Sequence, residues 1–310
     1  MIDDRDTLGA SAPSKVDALT ATAARSIRWV GTFSKRKPLG AIGGAITLVL
    51  IVLAVFAPVI APYDERHTHG DYVHAPPGSQ GPEFPFLLGA DAMGRDVLSR
   101  VVIGARISLY VGIGSVLIGI TSGFILGISS TYAGGKIDMA FPRFVDALMA
   151  LPGLIIALAI MAVLGPSLNN VIIAIVIGML APVVRTIRSQ VLSLKELDYV
   201  LAARAIGAPS TRIVFWHIAP NCFATYLVMA TYYLGFAIII EASLSFLGVG
   251  SPPDVPSWGG MLTRASQEHL KTAPWVGIFP GLAIFVVVLG FNLLGDALRD
   301  IFDPKLRGRD

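Results

Sequence analysis

Apolar positions along this chain come in long unbroken runs, and the polar positions gather between them. Six runs stand out: about Leu39 to Ala61, Ile107 to Ser130, Ile137 to Leu164, Val171 to Ile187, Phe223 to Val249 and Val276 to Leu298. A helix needs about 20 consecutive apolar residues to cross a bilayer. The strands of a membrane barrel would instead alternate apolar and polar residues. The pattern therefore predicts an all-α integral membrane protein with six transmembrane helices. Pro142 and Pro152 predict kinks in the third run, and Pro182 a bend in the fourth. In the second run Ser115, Gly119, Gly123 and Gly127 recur every four residues. A stripe of small residues on one helix face lets another helix approach closely.

The polar pieces set the boundaries. Residues 1–37 form an N-terminal tail, and residues 38–310 form one transmembrane domain. An outer loop spans 63–99, an inner loop 198–221 and a second outer loop 250–275. Within the first outer loop, Asp96–Arg106 reads as an amphipathic interfacial helix that sets Arg95, Arg100 and Arg106 near lipid headgroups. Lys35, Arg36 and Lys37 form a basic collar before the first run, and the tail after the last run is basic too. Most of the 24 Lys and Arg fall on the side of these two ends, which predicts cytoplasmic termini.

Composition narrows the class. The chain is 54% hydrophobic and 15% charged, with a mean hydropathy of +0.69, which excludes an ordinary soluble domain. The single cysteine, Cys222, excludes an internal disulfide framework. A net charge of +3 is too weak to signal nucleic acid. The polar N-terminal tail and the late, long first run do not fit a cleavable signal peptide.

The inner loop, DYVLAARAIGAPSTRIVFWHIAPN, reads as two short helices with a turn between them. Asp198 is a candidate N-cap for Tyr199–Ile206, and Gly207 a candidate for the left-handed residue that ends that helix. Ser210 or Thr211 could cap the second helix, and Pro220 could end or kink it. Leu201 would stand at N3, where Glu would complete a capping box and Leu cannot.

This loop resembles the "EAA" loop of ABC importer permeases: Glu-Ala-Ala, three residues, Gly, then nine residues leading to an apolar residue, any residue, Leu and Pro. Ala202, Ala203, Gly207 and Pro220 fall on their places, whereas Leu201, His217 and Ala219 depart from the pattern. The stretch Leu87 to Leu109, the run EASLSFLGVGSPPDVPSWGGML and the run Ala273 to Arg307 resemble C-type permeases of dipeptide and oligopeptide importers. The resemblance extends from about Leu39 to the C-terminus. It implies a type I importer permease fold and a heterodimer with a related permease. It also implies two cytoplasmic ABC ATPase subunits or domains and an extracytoplasmic solute-binding protein. The helix before Gly207 would be the coupling helix, with Ala202, Ala203, Arg204, Gly207 and Ala208 at the ATPase contact. The small alanines would permit close approach, and Arg204 would face an acid of the partner. On this reading Gly207→Asp or Ala203→Asp leaves the protein inserted and uncouples transport.

The chain lacks a GxxxxGK[ST] loop, and Gly134-Gly135-Lys136 has neither the spacing nor the following hydroxyl residue. It therefore reads as a transport subunit without an ATPase site, with ATP and Mg held by partner subunits and no cofactor of its own. Glu241 lies inside the fifth run, where an ionised carboxylate must be paired, solvated or protonated. It is a candidate gate or cavity residue together with Ser243 and Ser245, or a structural hydrogen-bonding group. Arg143 and Asp146, three apart, could pair on one helix face. His67, His69 and His74 cluster in the first outer loop but lack the setting of a metal site, and His217 reads as a packing or partner contact. The alternatives are a secondary transporter or channel working alone, which the lack of an evident internal repeat disfavours, and a membrane anchor for a peripheral ATPase.

Overall fold

The computed structural model describes residues 34–35, 37–252, 254–268 and 271–302. The expected N-terminal tail, apart from three residues, and the basic tail after Phe302 lie outside these. Among the described residues five helices are long and apolar enough to cross a membrane, and one sharply bent pair makes up to a sixth. The long helices are α1 (Pro38–Ile60), α2 (Val97–Ala133), α5 (Leu168–Lys195), α8 (Ala219–Phe246) and α10 (Trp275–Phe302). The bent pair is α3 (Gly135–Met149) and α4 (Gly153–Leu164). Two short helices, α6 (Asp198–Ala205) and α7 (Ser210–Ile213), occupy the inner loop, and α9 (Trp258–Glu268) lies in the second outer loop.

The centre is the α2–α5 pair. A side chain added at Gly123 would come within 2.5 Å of Val183 Cγ1, and one at Gly127 within 2.9 Å of Ile187 Cβ. Gly119 faces Met179 in the same way. The small-residue stripe is thus a close helix contact, as its spacing predicts. Glycines also seat α1 on α10, where a Cβ at Gly43 would lie 2.6 Å from the Gly290 carbonyl. Lys37 Nζ meets Asp300 Oδ2 at 2.6 Å, so the start of α1 and the end of α10 share one side of the membrane.

The third run is not one kinked span. Its two halves meet at 86° across Ala150–Pro152. Proline has no N–H to donate, and it disfavours helical conformation in the residue before it. Pro142, by contrast, is held inside α3. Arg143 and Asp146 do not pair as the spacing suggested. Asp146 bonds to Arg185, and Asp138 Oδ1 accepts from Arg188 Nη2 at 3.0 Å. Both acids face across to α5, so the contact between helices overrides the pair along one helix.

The interfacial helix expected over Asp96–Arg106 does not exist as a separate element. Asp96 is the N-cap of α2, accepting from the Ser99 N–H at 2.8 Å. From there α2 runs unbroken for 37 residues. At 1.5 Å per residue that is about 55 Å, well beyond the ~30 Å hydrocarbon core. Its first turns therefore stand outside the bilayer, and the outer loop wraps them. Arg95 and Arg100 are buried in that wrap, and only Arg106 is exposed.

Asp91 is the hub of the outer loop. Its Oδ1 accepts from the Met93 and Arg95 N–H groups at 2.9 and 3.0 Å. Its Oδ2 accepts from Arg95 Nε at 2.8 Å and lies 3.8 Å from Arg100 Nε. Arg100 Nη1 donates to the Glu65 carbonyl at 2.8 Å. Beside this, Tyr63, His69, Tyr72 and Phe86 form a ring cluster, with Tyr63 and Phe86 stacked at 5.3 Å. The second outer loop, 250–275, holds the helix α9. It docks through Trp258, whose Nε1 donates to the Val101 carbonyl of α2 at 2.9 Å.

Candidate functional site

The inner segment from Leu197 to Asn221 is built around Gly207. Its φ of +81° is open to glycine and strained for other residues. The Gly207 N–H donates to the Arg204 carbonyl at 3.0 Å, and the Ala208 N–H to the Ala203 carbonyl at 3.1 Å. This pair of bonds is a Schellman closure, which satisfies carbonyls that the end of a helix would leave free. The end of the short helix is thus where the sequence placed it. Its start is not: α6 begins at Asp198 itself, Leu197 takes the N-cap position, and no side chain caps it. Leu201 is therefore at N4, and the missing capping box has no bearing on this helix. Likewise α7 starts at Ser210 behind Pro209, and neither Ser210 nor Thr211 caps it.

Pro220 neither ends nor sharply kinks what precedes it. The chain runs as one helical rod over residues 210–246, with a π-helical turn at Val214–Ile218. Because Pro220 brings no N–H to the ladder, the register slips by one residue ahead of it. The Ala219 N–H then reaches back to the Val214 carbonyl. A slip of this kind leaves no periodicity signal, and the sequence reading missed it.

Helical geometry splits the two alanines of the motif. Successive residues project about 100° apart, so Ala202 is exposed whereas Ala203 is 8% exposed and packs inward beside Val200, Ile213 and Ile218. The expectation that both alanines offer close approach from outside is corrected for Ala203, whose small size serves the seat of α6 on its own bundle. Arg204 and Gly207 are exposed, and Ala208 packs partly against the core. The outward face also carries Ile206, 85% exposed, and the π turn shows Trp216 at 76%. The segment is moored to the spans through Asn221. Its Nδ2 donates to the His217 carbonyl at 2.7 Å and to Tyr199 Oη at 3.3 Å, and its carbonyl accepts from Gln190 Nε2 at 3.0 Å. The His217 ring lies 6.1 Å from that of Tyr199, in a packing position.

The second group of candidate residues lies at the opposite end of α8. Glu241 is fully buried in the last two turns of the helix. Its Oε1 accepts from Ser245 Oγ at 2.8 Å and from Ser251 Oγ at 3.4 Å, so the carboxylate joins α8 to the segment that returns toward α9. Ser243 is bonded elsewhere, donating to the Ile239 carbonyl at 2.7 Å from a half-buried position. The structure therefore brings Glu241 and Ser245 together and leaves Ser243 apart. Ser251 is the partner that the sequence reading did not name.

Residues 119–308 match the family model described as binding-protein-dependent transport system inner membrane component. Residues 34–77 match the N-terminal TM domain of oligopeptide transport permease C. The chain is 43% identical over 270 residues to the di/tripeptide transport system permease protein DppC of Pseudomonas aeruginosa, covering 86% of this chain and 89% of that one. It is 42% identical over 275 residues to the dipeptide transport system permease protein DppC of Alkalihalophilus pseudofirmus, with 88% of each covered. It is 42% identical over 272 residues to the glutathione transport system permease protein GsiD of Pectobacterium atrosepticum, covering 88% and 89%. With its apolar helices and its motif-bearing inner segment in place, the chain belongs to the binding-protein-dependent transport system inner membrane components and is a membrane-spanning permease subunit of an ATP-driven importer.

Proposed function

We propose that this chain forms half of a path for peptides or related small solutes, with a related permease as the other half. Two ABC ATPase subunits carry the ATP and Mg and dock on the inner segment, and an extracytoplasmic solute-binding protein delivers the solute. The observation that carries this reading is the two-sided build of α6. Its inner face is locked into the bundle by Val200 and Ala203, and its outer face presents Ala202, Arg204 and Gly207 to a partner. The peptide class is supported by the relatives, which are named for di/tripeptides, dipeptides and glutathione.

The mechanism is alternating access. Closure of the ATPase pair pulls on α6, and the Asn221 mooring and the continuous 210–246 rod carry that displacement into α8. Moving a two-state equilibrium from 1:99 to 99:1 takes about 5.5 kcal/mol of differential binding, which contacts on the exposed face of α6 must supply. Glu241 with Ser245 and Ser251 acts as an outer latch, holding the return segment while the path is closed outward. The termini and the inner segment are cytoplasmic, in line with the bias of Lys and Arg to that side. Purification of the tagged chain in mild detergent tests the assembly. A sister permease and P-loop ATPases should co-purify, and the complex in liposomes should take up di- and tripeptides only with ATP and the binding protein. Uptake by this chain alone, without ATP, would overturn the reading.

A further inference from the structure

The break at Ala150–Pro152 opens onto a cavity of about 370 Å³, whose walls include Pro152, Gly153, Gly178, Tyr232 and Tyr233. Gly178 lies ten residues into α5, about 15 Å from its outer end at 1.5 Å per residue, and Tyr232 lies halfway along α8. The cavity is therefore at membrane depth. Non-helical backbone lines it: Leu151 and Pro152 form part of its wall, and α4 starts behind Pro152 with no side-chain cap. Non-helical backbone at this depth is tolerated only where protein covers it or where it lines water. The cavity also continues. A second cavity of about 290 Å³ shares Tyr232 and Tyr233 as walls and leads to Asn292, Asp296 and Arg299 near the inner end of α10. An anion, a cation and an amide are costly against lipid and at ease against water. The two tyrosine rings stand perpendicular, 5.3 Å apart, where the cavities meet. Tyr233 is buried and Tyr232 projects into the open.

We propose that the groove from the Ala150–Pro152 break past Tyr232 to Asp296 is this chain's wetted wall of the solute path, and that the Tyr232 side chain is the group the solute meets at the junction of the two cavities. A phenol there offers a hydrogen-bond donor and a flat apolar face, which suits a solute rich in carbonyl and carboxylate oxygens. This inference rests on the importer reading above.

The test uses the assembled importer in liposomes with its binding protein. Leu151→Cys, Tyr232→Cys and Asn292→Cys are compared with Leu48→Cys on the exposed face of α1, using a charged methanethiosulfonate reagent. The native Cys222 is fully buried and contributes little background. Thiolate is the reacting form, and an apolar setting that raises a thiol's pKa by one unit leaves about tenfold less of it. The three groove positions should react at least about tenfold faster than Leu48→Cys in one or both nucleotide states. Transported solute should slow the reaction at Tyr232→Cys. In parallel, Tyr232→Ala should lower uptake per ATP hydrolysed, and Tyr232→Phe should lower it less. ATP-driven uptake with unreactive groove positions in both nucleotide states would overturn this inference and leave the importer reading intact, because lipid or the sister subunit would then cover the groove. Absence of ATP-driven uptake in the unsubstituted complex would overturn the importer reading itself.

Discussion

Two polar interruptions of this chain, the outer loop between α1 and α2 and the inner segment between α5 and α8, differ in where their charges go. The outer loop turns its ions inward. Asp91, Arg95 and Arg100 are buried together, and a ring cluster closes over the same region. The inner segment turns apolar residues inward and leaves Arg204, Ile206 and Trp216 outside. A buried, mutually satisfied ion cluster fixes a shape. An exposed mixed face on a moored short helix leaves a surface open, which the proposed function assigns to the ATPase. Loops of similar polarity in sequence can thus be a clamp in one place and an open face in another.

The sharpest break in that contrast is Asp91→Ala. It leaves two buried guanidiniums without their carboxylate, and removing one partner of a buried ion pair costs about 3–5 kcal/mol. Thermal unfolding in detergent should show a large loss, with little folded protein recovered. An unchanged midpoint would mean the outer loop is not a clamp. Next is Ala203→Asp against Ala202→Asp. The inward residue would bury a carboxylate without a partner, at about 3 kcal/mol, and should loosen α6, read as faster proteolysis of the inner segment. The outward one should leave stability within about 0.5 kcal/mol and abolish ATP-coupled uptake. Equal effects would erase the two faces of α6. Gly207→Val forces a β-branched residue into φ +81°, at about 1–2 kcal/mol. It should insert normally and lose most uptake while partner ATPases still hydrolyse ATP. The smallest effect belongs to Asp300→Asn. The Lys37–Asp300 pair is about two-fifths exposed on both sides, and such pairs are worth about 0–1 kcal/mol. Its unfolding midpoint should barely move, in contrast with Asp91→Ala.

The span pattern was legible because long apolar runs have no other stable solution in a membrane, and the Ser115–Gly127 stripe because a four-residue repeat fixes one helix face. Gly207 was legible because few residues other than glycine accept its backbone conformation. The misreadings have separate causes. Asp96–Arg106 looked amphipathic and surface-bound, but the Asp91 carboxylate draws Arg95 and Arg100 inward. Arg143 and Asp146 had the right spacing to pair, but α5 offers Arg185 and Arg188 across the gap. Asp198 looked like a cap, yet Leu197 holds that position. For Arg143 and Asp146 a contact distant in sequence outcompeted a local one; for Arg95 and Arg100 the winner was a carboxylate nearby in the loop, and for Asp198 the helix began one residue early.

For this protein the sequence by itself determined the class, the number of apolar runs, the motif around Gly207 and the lack of a phosphate-binding loop. Those are properties of local composition, spacing and backbone freedom. Only the tertiary structure decided which charges are buried, that the third run breaks at 86° over a cavity, that Ala202 is exposed and Ala203 is not, and that Glu241 also reaches Ser251 beyond the end of its helix. These depend on which surfaces the helices and loops press together.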